Sequence, residues 1–281
     1  ESMGATQQLV DAFRMNDGSA ITAEQEKGFS TQEYKDAKSG WVFAPAGTRN
    51  MFVNREPRFY VNICFNGAYW IGDQKTRIQL YYTGGSGKKG TWDFPRSGYI
   101  AIKNVSPSSN PKNGNYIKRP FVIMRYAEIL LNYVEALNEY DPGNPDILTY
   151  LNMVRRRARN TNPMDPRKDK QAYVPVVTAT TLPDITTTNQ DELRQIIWHE
   201  RRVELALEGR RVFDLRRWAL LDNPSLKSTG AAYLTTRATG APFLDDGSNI
   251  QCQNAYNMKY WFPIPQKERD INANLPQNPG W

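Results

Sequence analysis

The chain has 281 residues, of which 40% are hydrophobic, 23% charged and 12% aromatic, and this composition is ordinary for a globular protein. The formal net charge of +7 would suit nucleic acid as a partner. However, most arginines stand beside Glu or Asp, and no run of five or six like charges occurs. We therefore interpret the charge as an aid to solubility and to electrostatic steering.

The sequence contains no signal for a membrane span or a zinc site. No stretch approaches the roughly 20 apolar residues of a membrane span, and residues 1–4 lack the basic start of a signal peptide. Two cysteines, Cys64 and Cys252, and one histidine, His199, are too few for the usual Cys/His structural zinc site. The cysteines could form a disulfide or be two unrelated buried thiols, and both alternatives stay open.

Residues 1–120 are predicted to form loops and short strands. A short helix is expected over residues 6–15, and short aromatic or alternating runs follow at residues 58–63 and 78–82. Segments rich in glycine, serine and proline interrupt these runs, so no long element is predicted here.

From residue 121 onward the pattern becomes helical. Apolar residues recur at three-and-four spacing over residues 121–140, and the DPGN sequence at residues 141–144 ends this helix and caps a second one over residues 145–159. A connection this short requires the two helices to pack antiparallel. The buried stripe predicted for the first helix consists of Ile123, Tyr126, Leu130, Tyr133, Val134 and Leu137.

A loop at residues 161–188 separates these helices from the next ones. Asn189, followed three residues later by Glu192, resembles a capping box and predicts a third helix over residues 190–208. A further helix is expected over residues 211–221, and a last turn over residues 266–271.

The third helix carries two carboxylates, Glu200 and Glu204, in the middle of its apolar face. Burying a carboxylate is costly unless a cation pairs with it. The sequence therefore predicts arginine partners in the core, and the candidates are Arg211 and one arginine from residues 155–159, Arg155 first among them. Such an ion-pair network could fix the register of the helices.

Several segments together resemble the SusD/RagB family of outer-membrane nutrient-binding lipoproteins. In chain order they are REPRFY at 55–60, RYAEILLNYVEA at 125–136, LNMVRRRA at 151–158, ERRVELALEGRRVFDLRRW at 200–218, FPIP at 262–265 and QNPG at 277–280. The matches run from about residue 5 to the end of the chain. Glu56 replaces the Asp that is more usual before this proline, which is a like-charged change.

The resemblance implies a mainly α fold, a TPR-like helical scaffold with long loops and a few short strands. It implies a glycan- or nutrient-binding protein without catalytic activity or cofactor, lipid-anchored at the surface of the outer membrane, with a SusC-like TonB-dependent porin as its partner. Family members are longer, so it also implies that an N-terminal half and a lipoprotein signal are absent from this chain. Residues 1–120 would then face the ligand, residues 121–281 would form the scaffold, and an apolar surface would be left exposed.

Aromatic residues between residues 64 and 92 are the best candidates for a glycan site. Sugars stack their C–H faces on rings, and Trp and Tyr offer large, rigid apolar area with a polar tip. The candidate rings are, in order, Trp70, Trp92, Tyr69 and Tyr81, and the polar candidates beside them are Asn66, Asp73 and Arg77. For any single ring, packing in the core is the alternative.

Two other classes of protein remain open on the sequence alone. A glycan-cleaving enzyme needs two carboxylates brought together in space, and the loop candidates are Asp73, Asp93, Asp245 and Asp246. The last two, followed by Gly247, could equally form a turn or a weak structural calcium site. The third class is a helical-repeat scaffold that binds only protein.

Overall fold

The computed structural model describes residues 4–35, 40–70, 75–80, 84–86, 95, 97–106, 109, 114, 117–118, 122–159, 182–221 and 263–278. The α-helices are α1 (Gln7–Ala12), α2 (Pro57–Asn62), α3 (Tyr126–Tyr140), α4 (Pro145–Arg159), α5 (Gln190–Glu204), α6 (Arg211–Arg217) and α7 (Gln266–Ile271), with a 3-10 helix at Asn50–Phe52. The strands are β1 (Tyr34–Lys35), β2 (Val42–Ala44), β3 (Ile63–Cys64) and β4 (Ile100–Ala101). Strand β1 pairs with β2 and β3 with β4, both antiparallel. The predicted mainly α fold with a few short strands is confirmed.

The segment at residues 58–63 is mostly helical, so the short strand expected there is wrong. Pro57 occupies the first turn of α2, a position that its fixed φ favours. The amide of Asn62 donates to the carbonyl of Arg58 at 2.6 Å, one turn earlier. Only Ile63 and Cys64 continue in extended form, as β3.

Helix α3 begins at Tyr126 rather than at residue 121. The preceding residue, Arg125, has an extended backbone with φ −137° and ψ 159°. The predicted buried stripe is therefore partly wrong, because Ile123 lies before the helix and Tyr126 and Tyr133 are exposed. The buried residues of α3 are Ala127, Glu128, Leu130, Leu131, Val134 and Asn138.

Large apolar side chains are exposed just before α3 and along its outer face. They are Val122, Ile123, Met124, Tyr126, Ile129, Tyr133 and Tyr140. These side chains form an exposed apolar surface, and the expectation that such a surface would contact an N-terminal half stays a prediction.

Helix α5 begins where predicted and ends at Glu204 rather than at residue 208. At its start, the side chain of Asn189 accepts a hydrogen bond from the Glu192 amide at 3.0 Å. At its end, Leu207 and Gly209 have φ of 63° and 75°, left-handed conformations that reverse the chain. The following helix also stops early, at Arg217 instead of residue 221.

Two hydrophobic clusters lie on either side of α5. The aromatic cluster, built mainly from the first hundred residues, includes Phe13, Phe52, Phe59, Phe65 and Tyr99. The helical cluster includes Leu131, Val134, Leu151, Leu193 and Ile197. Helix α5 joins them, because Val203 belongs to the first cluster while Leu193 and Ile197 belong to the second.

Arg55 is fully buried beside the aromatic cluster. Its guanidinium caps the C-terminal end of α1 by donating to free backbone carbonyls there. It donates to the carbonyls of Val10 and Phe13 at 2.6 and 2.7 Å, and to that of Met51 at 2.7 Å. The end of α1 is thereby tied to the segment before α2. Among the residues that the structure describes, no helix is both long enough and apolar enough to cross a membrane.

Candidate ligand-binding site

Four of the seven predicted ligand-binding residues lie on a hairpin formed by residues 66–70 and 75–80. Gly67 donates to the Ile78 carbonyl at 2.8 Å, and Ile78 donates to the Ala68 carbonyl at 2.9 Å. Trp70 donates to the Thr76 carbonyl at 3.0 Å. We call this segment the 66–80 hairpin.

Side chains alternate across the two arms of the 66–80 hairpin. Ala68, Ile78 and Leu80 are buried and belong to the aromatic cluster. Tyr69 and Arg77 face each other across the arms, and Tyr69 is partly exposed while Arg77 is exposed. Successive strand residues point to opposite sides, so packing of the first set directs the second set outward.

Tyr69 and Arg77 form one unit on the exposed side. The guanidinium carbon of Arg77 lies over the Tyr69 ring, 6.0 Å from its centroid. Its Nη2 also donates to the carbonyl of Ala46 at 2.6 Å. A ring and a cation held together in this way can take the C–H face of a sugar and a polar group beside it.

Trp70 and Asn66 have partly structural positions. Trp70 is only partly exposed and packs against the aromatic cluster, so the first-choice ring also contributes to the core. The Oδ1 atom of Asn66 accepts from the amide of Leu80 at 2.8 Å and thereby closes the hairpin. The remaining predicted ligand residues, Tyr81, Asp73 and Trp92, lie outside the described residues.

Phe29 and Arg49 form a second ring–arginine pair, which the sequence analysis missed, and its arginine is partly buried. Phe29 is 55% exposed, and the guanidinium carbon of Arg49 lies 5.7 Å from its centroid. The two residues face each other in an isolated antiparallel bridge. The available signal was weak: a single aromatic residue after Gly28, in a segment of polar residues.

Glu200 is completely buried and lies between two arginines. Arg155 donates through Nη1 to Oε2 at 2.9 Å, and Arg58 donates through Nη1 to Oε1. Burial raises the pKa of the Glu200 carboxyl, but Arg58 and Arg155 together lower it further, so its pKa falls to about 2.

Glu204, one turn later, has three arginine partners among the described residues. Arg58 approaches Oε2 at 3.2 Å, while Arg125 and Arg157 both donate to Oε1. Burial raises the pKa of this carboxyl too, and the arginines, Arg58 foremost, bring it below its usual value. The carboxylate therefore stays ionised inside the protein.

Glu56 and Glu208 add two further carboxylates to this group of ion pairs, one through Arg58 and one through Arg125. Arg58 donates through Nε to Glu56 at 2.7 Å, and Arg125 donates through Nε to Glu208 at 2.9 Å. Lys103 also pairs with Glu208. The ion pairs connect the loop-rich part of the chain to α3, α4 and α5, which is a structural role.

Arg211 does not belong to this cluster, contrary to the sequence prediction. In the part of the chain that the structure describes, the arginines contacting Glu200 and Glu204 are Arg58, Arg125, Arg155 and Arg157. Because α5 ends at Glu204 and the chain reverses, Arg211 starts a different helix. Its guanidinium carbon lies over the ring of Trp218, 5.8 Å from the centroid.

Arg58 and Arg125 are partners that reasoning from the sequence did not single out. They lie 142 and 79 positions from the glutamates that they contact. The signal that could have found them is their presence in the segments at 55–60 and 125–136.

The remaining titratable candidates have ordinary structural surroundings. His199 contacts the carbonyl of Ala12 through Nε2 at 2.7 Å, and burial, aided by Arg14, lowers its pKa to about 4. Cys64 is a free, buried thiol whose pKa burial raises to about 12.

Within the described ranges, no group of three or more His, Cys, Asp or Glu side chains is placed to hold a metal ion. The suggested calcium residues, Asp245 and Asp246, lie outside those ranges, as do Asp93 and Cys252.

Solved structures similar to this chain are SusD-like proteins. One from Bacteroides fragilis matches with a TM-score of 0.66 at 27% identity, covering 99% of this chain and 47% of that chain. A second from the same species, described as a SusD-like carbohydrate binding protein, gives a TM-score of 0.63 at 26% identity and covers 98% and 50%. The chain thus spans about half the length of these two proteins.

Curated relatives point to the same family. The SusD-like protein P2 of Formosa agariphila is 33% identical over 171 residues, which are 60% of this chain and 27% of that protein. The SusD-like protein P38 of the same organism is 35% identical over 116 residues, or 41% and 18%. The model of the SusD family itself matches residues 1–281. With its helical fold and a family match over its whole length, the chain belongs to the SusD family.

Proposed function

We propose that this chain is the ligand-facing part of a cell-surface protein that captures oligosaccharide and does not cleave it. The observation that carries the proposal is the Tyr69–Arg77 unit, a partly exposed ring beside an exposed cation on the 66–80 hairpin. A rigid ring suits the flat apolar face of a sugar, and the guanidinium suits its oxygens. The similar structure that is described as carbohydrate binding supports the same function.

The protein would act at the outer surface of the outer membrane and pass its ligand to a TonB-dependent porin of the SusC type. Family membership supports this part of the proposal. A shallow surface site buries little area, so each contact should be weak, and retention should increase with the number of repeating units on the glycan. Weak, repeated contacts fit a protein that holds a chain only until it is transported.

Affinity electrophoresis in native gels containing starch, xylan, pectin, alginate or chondroitin sulfate tests glycan capture. Tyr69→Ala should weaken the retardation about tenfold, because an aromatic contact is worth about 1.5 kcal/mol beyond its buried area and 1.4 kcal/mol is a factor of ten. Its melting temperature should stay close to that of the parent. Tyr140→Ala, which truncates a tyrosine that is 89% exposed on α3, is the matched control and should bind as the parent does.

Three results would contradict the proposal. Retardation of Tyr69→Ala equal to that of the parent would move the site away from the 66–80 hairpin. Release of reducing ends from a retained polysaccharide would favour a glycan-cleaving enzyme. Absence of retardation in every gel would favour a scaffold that binds only protein. Trp70→Ala is less informative, since Trp70 packs against the aromatic cluster and its loss should also lower stability.

A further inference from the structure

The two ring–arginine pairs at the surface, Phe29 with Arg49 and Tyr69 with Arg77, have the same construction, and one member of each pair is exposed while the other is partly buried. Each ring faces its arginine across an isolated antiparallel bridge. Each guanidinium carbon lies within 6.0 Å of the ring centroid. The direct cross-strand position brings the two side chains of each pair together.

One turn, at residues 45–48, connects the two pairs. Arg77 donates to the carbonyl of Ala46 in this turn, and Arg49 directly follows the turn. Ser30, next to Phe29, donates to the Thr48 carbonyl at 2.7 Å. Consecutive Cα atoms are 3.8 Å apart, so the Cα atoms of Ala46 and Arg49 are at most about 11 Å apart. We call these four side chains, Phe29, Arg49, Tyr69 and Arg77, the ring–arginine edge.

A backbone carbonyl holds the Arg77 guanidinium, and a second carbonyl makes a long contact with that of Arg49. Arg77 Nη2 donates to Ala46 at 2.6 Å, and Arg49 Nη2 donates to Glu26 at 3.5 Å. Within the residues that the structure describes, neither arginine forms a salt bridge with a carboxylate. Arginines on α4 differ, because Arg155, for example, pairs with Glu200. Among the described carboxylates, none therefore neutralises the positive charge at the edge.

A guanidinium that contacts a ring and has no carboxylate partner among the described residues is well suited to bind an anion. Its planar donors match carboxylate and sulfate oxygens, and its orientation by a ring and a carbonyl reduces the side-chain entropy lost on binding. Two such groups, each with a ring, are joined through the turn at residues 45–48. The net charge of +7 would also favour the approach of a polyanion.

We infer that the ring–arginine edge selects acidic glycans, with the rings taking sugar faces and the two guanidiniums taking carboxylate or sulfate groups along the chain. This inference rests on the proposed function, because it names the class of glycan for the same surface and extends that surface to Phe29 and Arg49.

The test compares acidic glycans with neutralised forms of the same polymers. Polygalacturonate against highly methyl-esterified pectin tests carboxylates, and chondroitin sulfate against desulfated chondroitin tests sulfates. The parent should bind the acidic form at least tenfold more tightly in one or both comparisons, and added salt should weaken only that binding.

Three variants test the arginines, and a fourth serves as control. Arg77→Gln and Arg49→Gln should each weaken binding of the acidic form about tenfold and that of its neutral counterpart less than twofold. Arg77→Lys keeps the charge without the planar donors and should lie in between. Arg156→Gln removes an exposed arginine of α4 that pairs with Asp184, so net charge changes equally and binding should not change. Melting temperatures confirm that each variant is folded.

The outcomes separate this inference from the proposed function. Equal affinity for acidic and neutral forms, or parental binding by both Arg77→Gln and Arg49→Gln, would overturn the inference. The proposed function would survive that result if Tyr69→Ala still lost binding. An equal loss in Arg156→Gln would show a general charge effect and would also overturn the inference. Failure to bind any polymer would overturn both.

Discussion

Arg155 donates to Glu200 across 2.9 Å inside the protein, and neither side chain is more than 7% exposed. This contact joins α4 to α5, and Arg58 occupies the other oxygen of the same carboxylate. A buried ion pair gains little net stability over an apolar pair, but removing one partner leaves an uncompensated charge in the core. The contact therefore predicts a large cost for single substitutions.

Glu200→Gln should lower the free energy of unfolding by about 3–5 kcal/mol, because Arg155 and Arg58 both lose their countercharge at this position. Urea unfolding followed by circular dichroism measures the change. Glycan retention should persist under conditions where the variant is folded, since the ring–arginine edge is not touched.

Glu24→Gln is the matched control for this prediction. Glu24 pairs with Lys27 on the surface at 2.8 Å and is 82% exposed in its side chain, so the loss should be within about 0.5 kcal/mol. A cost for Glu200→Gln no larger than that of the control would show that the buried carboxylate is not needed for stability.

The lowered pKa of His199 predicts that the folded protein loses stability as the pH falls from about 6.5 to about 4. Its pKa in the folded protein is about 4, against an ordinary value of 6.5, because burial disfavours the charged ring. In this interval the unfolded chain binds the proton and the folded protein does not, so lowering the pH favours unfolding. The loss should be on the order of 3 kcal/mol, at 1.36 kcal/mol per pKa unit.

Chemical unfolding at several pH values checks this prediction, and His199→Gln provides the comparison. His199 is the one histidine in the sequence, so the variant should lose most of the pH dependence between 6.5 and 4. Glu200 affects stability in a lower pH interval. Its pKa in the folded protein is about 2, so the stability that its ionised carboxylate provides is lost as the pH falls from about 4.5 toward 2. Equal slopes for parent and variant between pH 6.5 and 4 would contradict the assignment.

The capping hydrogen bond of Asn189 predicts a smaller loss of stability when it is removed, confined to the start of α5. Its side chain accepts from the amide of Glu192 at 3.0 Å, so Asn189→Ala should cost about 1 kcal/mol by leaving that amide without its cap. Thr188→Ala, at an exposed position directly before the cap, should cost much less. Thermal unfolding of the two variants measures the difference, and equal costs would mean that the capping bond does not stabilise the helix.

The sequence by itself determined the local features of the helical part. The DPGN turn separates α3 from α4, and the cap Asn189 marks the start of α5, because these signals act over a few residues. The position of Glu200 and Glu204 on an apolar face also required cationic partners, since a carboxylate cannot be buried alone. These inferences need only helical periodicity and the cost of burying charge.

Tertiary structure decided which residues meet those requirements. The need for a cation does not specify its source, and Arg58 and Arg125 come from distant segments that the packing of two clusters brings to α5. Helix α5 ends at Glu204 because Lys103 and Arg125 take the Glu204 carbonyl, which local sequence does not indicate. Likewise, composition marked the 64–92 region as rich in aromatic residues. Only packing decided that Trp70 lies partly against the core and that an arginine lies over the ring of Tyr69. The similar pair of Phe29 and Arg49, outside that region, also depended on packing.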